Sequence, residues 1–173
     1  MTARPIRPDQ LLRLAHDLAT QPEGPGRPVV ERLRRAISTA YYGLFHEVAL
    51  QSARQALPDL HADLASGLAR SVQHDAVTKV CGWVDGNTSP MHLRALVDRL
   101  RVDNELTAVA QTLVALKDRR HEADYDHLLE VSRAGAVTAV ADAEAAAALL
   151  REHRERPTFR AFHSLVLLCS TAR

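Results

Sequence analysis

The sequence predicts an all-α fold, an antiparallel helical bundle of about six helices. Three observations carry that expectation. Aromatic residues make up only 4% of the chain, and long Ala-, Leu-, Arg- and Glu-rich stretches, all helix formers, dominate instead. Apolar residues recur at steps of three and four, and no stretch alternates as a half-buried strand would. Gly and Pro gather in a few short stretches that separate long periodic segments, the pattern of long helices joined by short links.

The elements follow in order. A first helix is expected near 8–20, and QPEGPGRP at 21–28 is a loop by its Pro and Gly content. The second and longest helix runs near 28–56. Its Val30, Leu33, Ile37, Tyr41, Leu44, Phe45, Val48 and Ala49 form one apolar stripe. Pro58 opens a third helix near 59–81, since Pro is tolerated in a first turn. GWVDGNTSPMH at 82–92 is the longest connection, and a fourth helix runs near 93–118. A fifth covers about 127–153 with Leu128, Val131, Val137, Val140, Ala143, Ala147 and Leu150 apolar, and its Ala-rich run suits close helix packing. RERPT at 154–158 breaks the chain before a last helix near 158–172. The 173 residues suffice for a single domain with a sizeable core.

Composition narrows the function classes. Lys+Arg is 22 against Asp+Glu 21, so overall charge gives no case for a nucleic-acid partner, and any such case rests on local patches. The two cysteines, Cys81 and Cys169, form no CxxC pair; they fit a reducing interior and buried packing roles. The first residues hold no continuous apolar run of the kind a signal peptide needs, and SLVLLC at 164–169 is too short to span a bilayer. The expectation is a cytoplasmic globular protein without a membrane segment.

One stretch stands out: LKDRRHEADYDH, residues 116–127. Read simply, it is a helix junction. Its basic residues would close one helix, where they complement the macrodipole, and Asp124 and Asp126 would cap the next. His121-Glu122 begins like the zinc motif HExxH, but position 125 is Tyr, so that match fails. His121, Asp124 and His127 share one helical side at spacings of three, a loose arrangement; no metal and no cofactor is expected. No nucleophile elbow and no phosphate-cradling Gly loop is present. Arg120 and His127 offer a sharper reading. An imidazole can move the proton of a ribose 2′-OH or of a leaving oxygen, and a guanidinium can hold the phosphate. Seven steps along one helix are about 10 Å of rise, so joint action is easier if Arg120 lies in the turn before the helix, or if the site spans a symmetric dimer.

Two segments carry a family resemblance. RRAISTAYYGLFHEVAL (34–50) is similar to the RAYYAxFH segment of many small HEPN proteins, and Arg120-xx-Ala123-Asp124-Tyr125 is similar to their RxxADY segment. Arg120 to His127 also fits the R-x4–6-H pattern of catalytic members, with His121 as the polar residue after the Arg. The chain thus resembles a HEPN domain over about 28–155, with 1–27 and 156–173 as flanking additions. That resemblance implies a metal-independent endoribonuclease of a prokaryotic defence or toxin–antitoxin system, often a homodimer. It implies Arg120 as phosphate binder and His127 as general acid/base, with His121, Asp124 and Tyr125 in support. Arg119 and Lys117 would add RNA contacts. The alternatives are a non-catalytic HEPN module that binds RNA or a partner protein such as a nucleotidyltransferase-type antitoxin, and a helical scaffold subunit. Tyr42 with His46, and Arg70 with His74, are candidates to border the same groove.

Overall fold

A computed structural model describes residues 7–22, 29–58, 62–126 and 130–171. Among the described residues there are eight α-helices and no strand: α1 (Pro8–Thr20), α2 (Val29–Ala56), α3 (Ala62–Ala69), α4 (His74–Val84), α5 (Arg94–Arg101), α6 (Asn104–Tyr125), α7 (Arg133–Glu152) and α8 (Pro157–Thr171). A single 3-10 turn, Met91–Leu93, precedes α5. The helical-bundle expectation holds; the count of six does not. Arg70 to Gln73 split the expected third helix into α3 and α4. Val102 and Asp103 split the fourth into α5 and α6, because Asp103 turns extended and accepts a hydrogen bond from the Leu106 amide as a new N-cap.

The bundle is built around α2, which packs against α1, α3, α6, α7 and α8. The expected single stripe is therefore too narrow. From residue 36 to 49 only Tyr42 and His46 escape full burial, and Val30, placed on the stripe, is exposed. A helix enclosed on nearly all sides must satisfy its polar residues internally. Glu47 does so with Arg151 Nη2 at 2.7 Å and Gln51 Nε2 at 2.9 Å. Ser52 donates to the Val48 carbonyl at 2.8 Å and contacts His163 Nδ1 at 2.9 Å. Gly43 lets α1 approach: a Cβ there would stand 2.8 Å from Leu12 Cδ2. Gly86, with φ +124°, turns the chain after α4. Arg101 secures that turn through the carbonyls of Trp83 and Asn87.

The charged stretch is not a junction. α6 runs unbroken through it to Tyr125, and α7 starts at Arg133 with Ser132 as its cap, so neither Asp124 nor Asp126 caps α7. The helix can continue because Lys, Arg, Glu and Ala are all good helix formers. Its C-terminal carbonyls are met by Arg34 of α2, whose Nη1 donates to Ala123 O at 2.8 Å and to Asp126 O at 2.6 Å. His127 lies outside the described residues, as do positions 23–28 of the first loop and 59–61 after Pro58. No helix among the described residues is long and apolar enough to cross a membrane.

Candidate functional site at the α2–α4–α6 face

The two segments singled out in the sequence meet in space. Arg120, on α6, donates from Nε to Asp124 Oδ2 at 2.9 Å, one helical turn on. Asp124 also accepts from the Ser38 hydroxyl of α2 at 2.5 Å, so the carboxylate joins the two helices. The Arg120 guanidinium lies over the rings of Tyr42 and Tyr41, with its Cζ at 5.1 Å and 5.7 Å from the centroids. The Arg120 and Asp124 side chains are 26% and 31% exposed, so the pair is held in place yet reachable from solvent.

Around this pair sits an aromatic and imidazole cluster. His74, the first residue of α4, stacks on Phe45 with centroids 3.6 Å apart and meets Tyr42 edge-on at 5.6 Å. Its Nδ1 is 3.0 Å from the Tyr41 hydroxyl. Burial pushes the Tyr41 phenol up to about 12, against the opposing pull of Arg120, so the hydroxyl stays protonated. Burial and then the Arg120 charge lower the His74 pKa, and burial and then His74 lower that of His46. Both imidazoles are therefore neutral at neutral pH. Phe45 and Tyr42 cover part of the His74 ring while the residue keeps an edge in solvent, and its Nδ1 is the nitrogen that faces Tyr41.

Of the residues expected at the site, Arg120 and Asp124 are brought together with the α2 segment. His121 and Tyr125 are exposed one turn apart on α6, with rings 4.9 Å between centroids, and offer flat faces beside the pair. Lys117 lies three residues before Arg120, hence next to it on the helix surface. Arg119 turns the other way and pairs with Asp142 of α7 at 3.6 Å. Arg120 is not in a turn before a helix but well inside α6, so the first of the two arrangements considered for joint action with His127 does not hold. Arg70 lies in the turn after α3 while His74 opens α4, so those two do not share one helix face.

By spacing alone Tyr42, His46 and His74 only border the groove, and Tyr41 belongs to the core stripe. Their role depends on contacts between α2, α4 and α6 that residue spacing does not encode. The one legible signal was the packing of Tyr, Tyr, Phe and His into positions 41–46. Among the described residues no group of three or more His, Cys, Asp or Glu could hold a metal ion. Cys81 is fully enclosed, and burial pushes its thiol up, away from nucleophilic use. No family model matches the chain, and no curated protein and no solved structure matches it.

Proposed function

We propose that this chain is a HEPN-type endoribonuclease that cleaves RNA without a metal, with its active face on α2, α4 and α6, in a prokaryotic defence or toxin–antitoxin setting. One observation supports this reading above the others. Arg120 is fixed over Tyr42 and tied to Ser38 through Asp124, beside an imidazole, His74, that Tyr41 orients and that is neutral at neutral pH. A scissile phosphate would sit on the Arg120 guanidinium. With Nδ1–H towards Tyr41, His74 offers its Nε2 lone pair to the proton of a 2′-OH. O2′ then bonds to phosphorus as the P–O5′ bond breaks. The developing charge rests on Arg120. The leaving oxygen takes a proton from a second imidazole, the role the family resemblance gives His127. The products are a 2′,3′-cyclic phosphate and a 5′-hydroxyl. Tyr42, His121 and Tyr125 supply ring faces for unstacked bases. A symmetric homodimer would line up two such faces.

A second reading draws on the Arg120–Asp124 bond. A guanidinium already paired with a carboxylate suits recognition better than turnover. On that reading the face is a non-catalytic module that holds RNA or a partner protein such as a nucleotidyltransferase-type antitoxin. Total cellular RNA incubated with purified protein in EDTA separates the two. Cleavage is expected in wild type and is lost in Arg120→Ala and His127→Ala, with at least a hundredfold drop in His74→Ala. Folded wild type that retains RNA on a filter but never cuts it would move the assignment to the binding module. Cutting that survives both Arg120→Ala and His127→Ala would refute the site.

A further inference from the structure

The open face of α2 continues past the Arg120 pair. Between residues 35 and 49 of that helix, Arg35 is exposed, Tyr42 and His46 are half-buried, and every other residue is buried. Arg35, Tyr42 and His46 follow one another at seven and four residues, so they share one narrow face. Ser38 and Gly43 lie on opposite flanks of that face. Ser38 meets α6 through Asp124, and Gly43 meets α1 at Leu12. The stripe is therefore the floor of a groove walled by α6 and α1.

The floor changes in chemistry along its length. Tyr42 and His46 present rings 6.4 Å apart and 27° from parallel, and burial keeps the imidazole neutral at neutral pH. Arg35 stands two turns before Tyr42, about 10 Å of rise. The Thr39 hydroxyl donates to its backbone carbonyl, but its guanidinium has no ion pair and no hydrogen bond among the described residues. Arg120, by contrast, spends its Nε on Asp124 and lies over the Tyr42 ring. Along α2 the two cations are thus set about 10 Å apart, with flat rings beside and between them. That order matches a nucleic-acid strand, which repeats phosphate, base, phosphate.

We infer that Arg35 holds a second phosphate of a single-stranded RNA, flanking the one on Arg120, with an unstacked base between them on Tyr42 and His46. Arg35 thereby sets the path of the strand across α2. It does not touch the reacting atoms, so it is a positioning residue. The inference rests on the RNA reading of this face and names the form of RNA that the face takes. A duplex keeps its bases stacked and offers no ring face to Tyr42 or His46.

The test is the salt dependence with which the full chain binds a fluorescent single strand of 2′-O-methyl RNA, which lacks the attacking hydroxyl and cannot be cut. Each phosphate contact on a single strand adds about 0.7 to the slope of log affinity against log salt concentration. Arg35→Ala should weaken binding at least fivefold and lower that slope by about 0.7, and Arg35→Lys should restore the slope. Arg35 is exposed, so both variants fold. The strand annealed to its complement should bind wild type at least tenfold more weakly. An unchanged slope in Arg35→Ala overturns the proposal, as does equal binding of single and double strands, or no binding by wild type. Cutting of unmodified RNA is scored separately. Wild type that binds through Arg35 but leaves RNA whole refutes cleavage and leaves Arg35 in its role. Wild type that cuts RNA while Arg35→Ala keeps its slope refutes the role of Arg35 and leaves cleavage standing.

Discussion

At the scale of single residues, the cluster is organised by side-chain hydrogen bonds that each hold a charged or ring group in one orientation. Ser38 holds Asp124, Asp124 holds Arg120, and Tyr41 holds His74. Tyr41 is the clearest case to test because its ring and its hydroxyl have separable jobs. The ring is buried and meets Tyr42 edge-on at 5.4 Å, so Phe can replace it without a cavity. The hydroxyl supplies the hydrogen bond to His74, while the ring stacks on it at 5.8 Å, a contact that Phe keeps. Tyr41→Phe should therefore cost about 1 kcal/mol, the usual net worth of one intramolecular hydrogen bond. Urea unfolding should show a lower midpoint at an unchanged slope. If the protein cleaves RNA, the same variant should lower kcat and leave KM nearly unchanged, since the hydroxyl orients the imidazole and does not touch RNA. Unchanged stability together with an unchanged kcat would show that His74 is held by ring stacking alone.

Helices α1, α2 and α8 have the expected limits to within a residue or so, because Pro8, the Pro- and Gly-rich loop and Pro157 mark them chemically. The α5–α6 break carries no such mark. Asp103 caps α6 through the Leu106 amide, and its carboxylate also receives Arg156 and Thr158 from the start of α8. Burial alone would push that carboxyl up; the Thr158 hydroxyl, the Leu106 amide and Arg156 outweigh it and hold it below the usual range. Of the candidate site, the sequence made legible the two segments that meet, and Arg120, Asp124 and Ser38 are in contact. The contribution of His74 was not legible, because its orientation comes from Tyr41 and Phe45, on another helix. Asp103→Ala should cost about 1–2 kcal/mol through loss of the α6 cap. Asp103→Asn, which keeps an acceptor for the Leu106 amide, should recover part of that loss in thermal unfolding. Equal losses for both variants would mean that the negative charge facing Arg156 matters and the cap does not. Gly43→Val tests the α1–α2 contact in the same way. Its side chain must displace Leu12, and overpacking of this kind costs about 1–3 kcal/mol.

For the whole molecule, burial of neutral imidazoles ties folding to pH. His163 anchors α8 on α2 through Ser52 and is enclosed by both. Its folded pKa, about 3, lies below the ordinary imidazole value of about 6.5. The unfolded chain therefore takes up a proton that the folded chain refuses. The associated stability is fully present above about pH 6.5 and is lost as the pH falls from there towards 3. Each pH unit inside that window is worth up to about 1.4 kcal/mol, so this group alone should remove about 2 kcal/mol by pH 5. His46 and His74, also lowered by burial, act with the same sign and add to the slope. His163→Leu fills the same space without a titrating group. Compared at pH 7.5, 6 and 5 by urea unfolding, wild type should lose stability steadily. The variant should start lower, since Ser52 loses its partner, but fall by about 2 kcal/mol less over the same interval. Parallel profiles would mean that His163 becomes protonated without unfolding, which requires water to reach Nε2 and would make the α2–α8 contact looser than its burial implies.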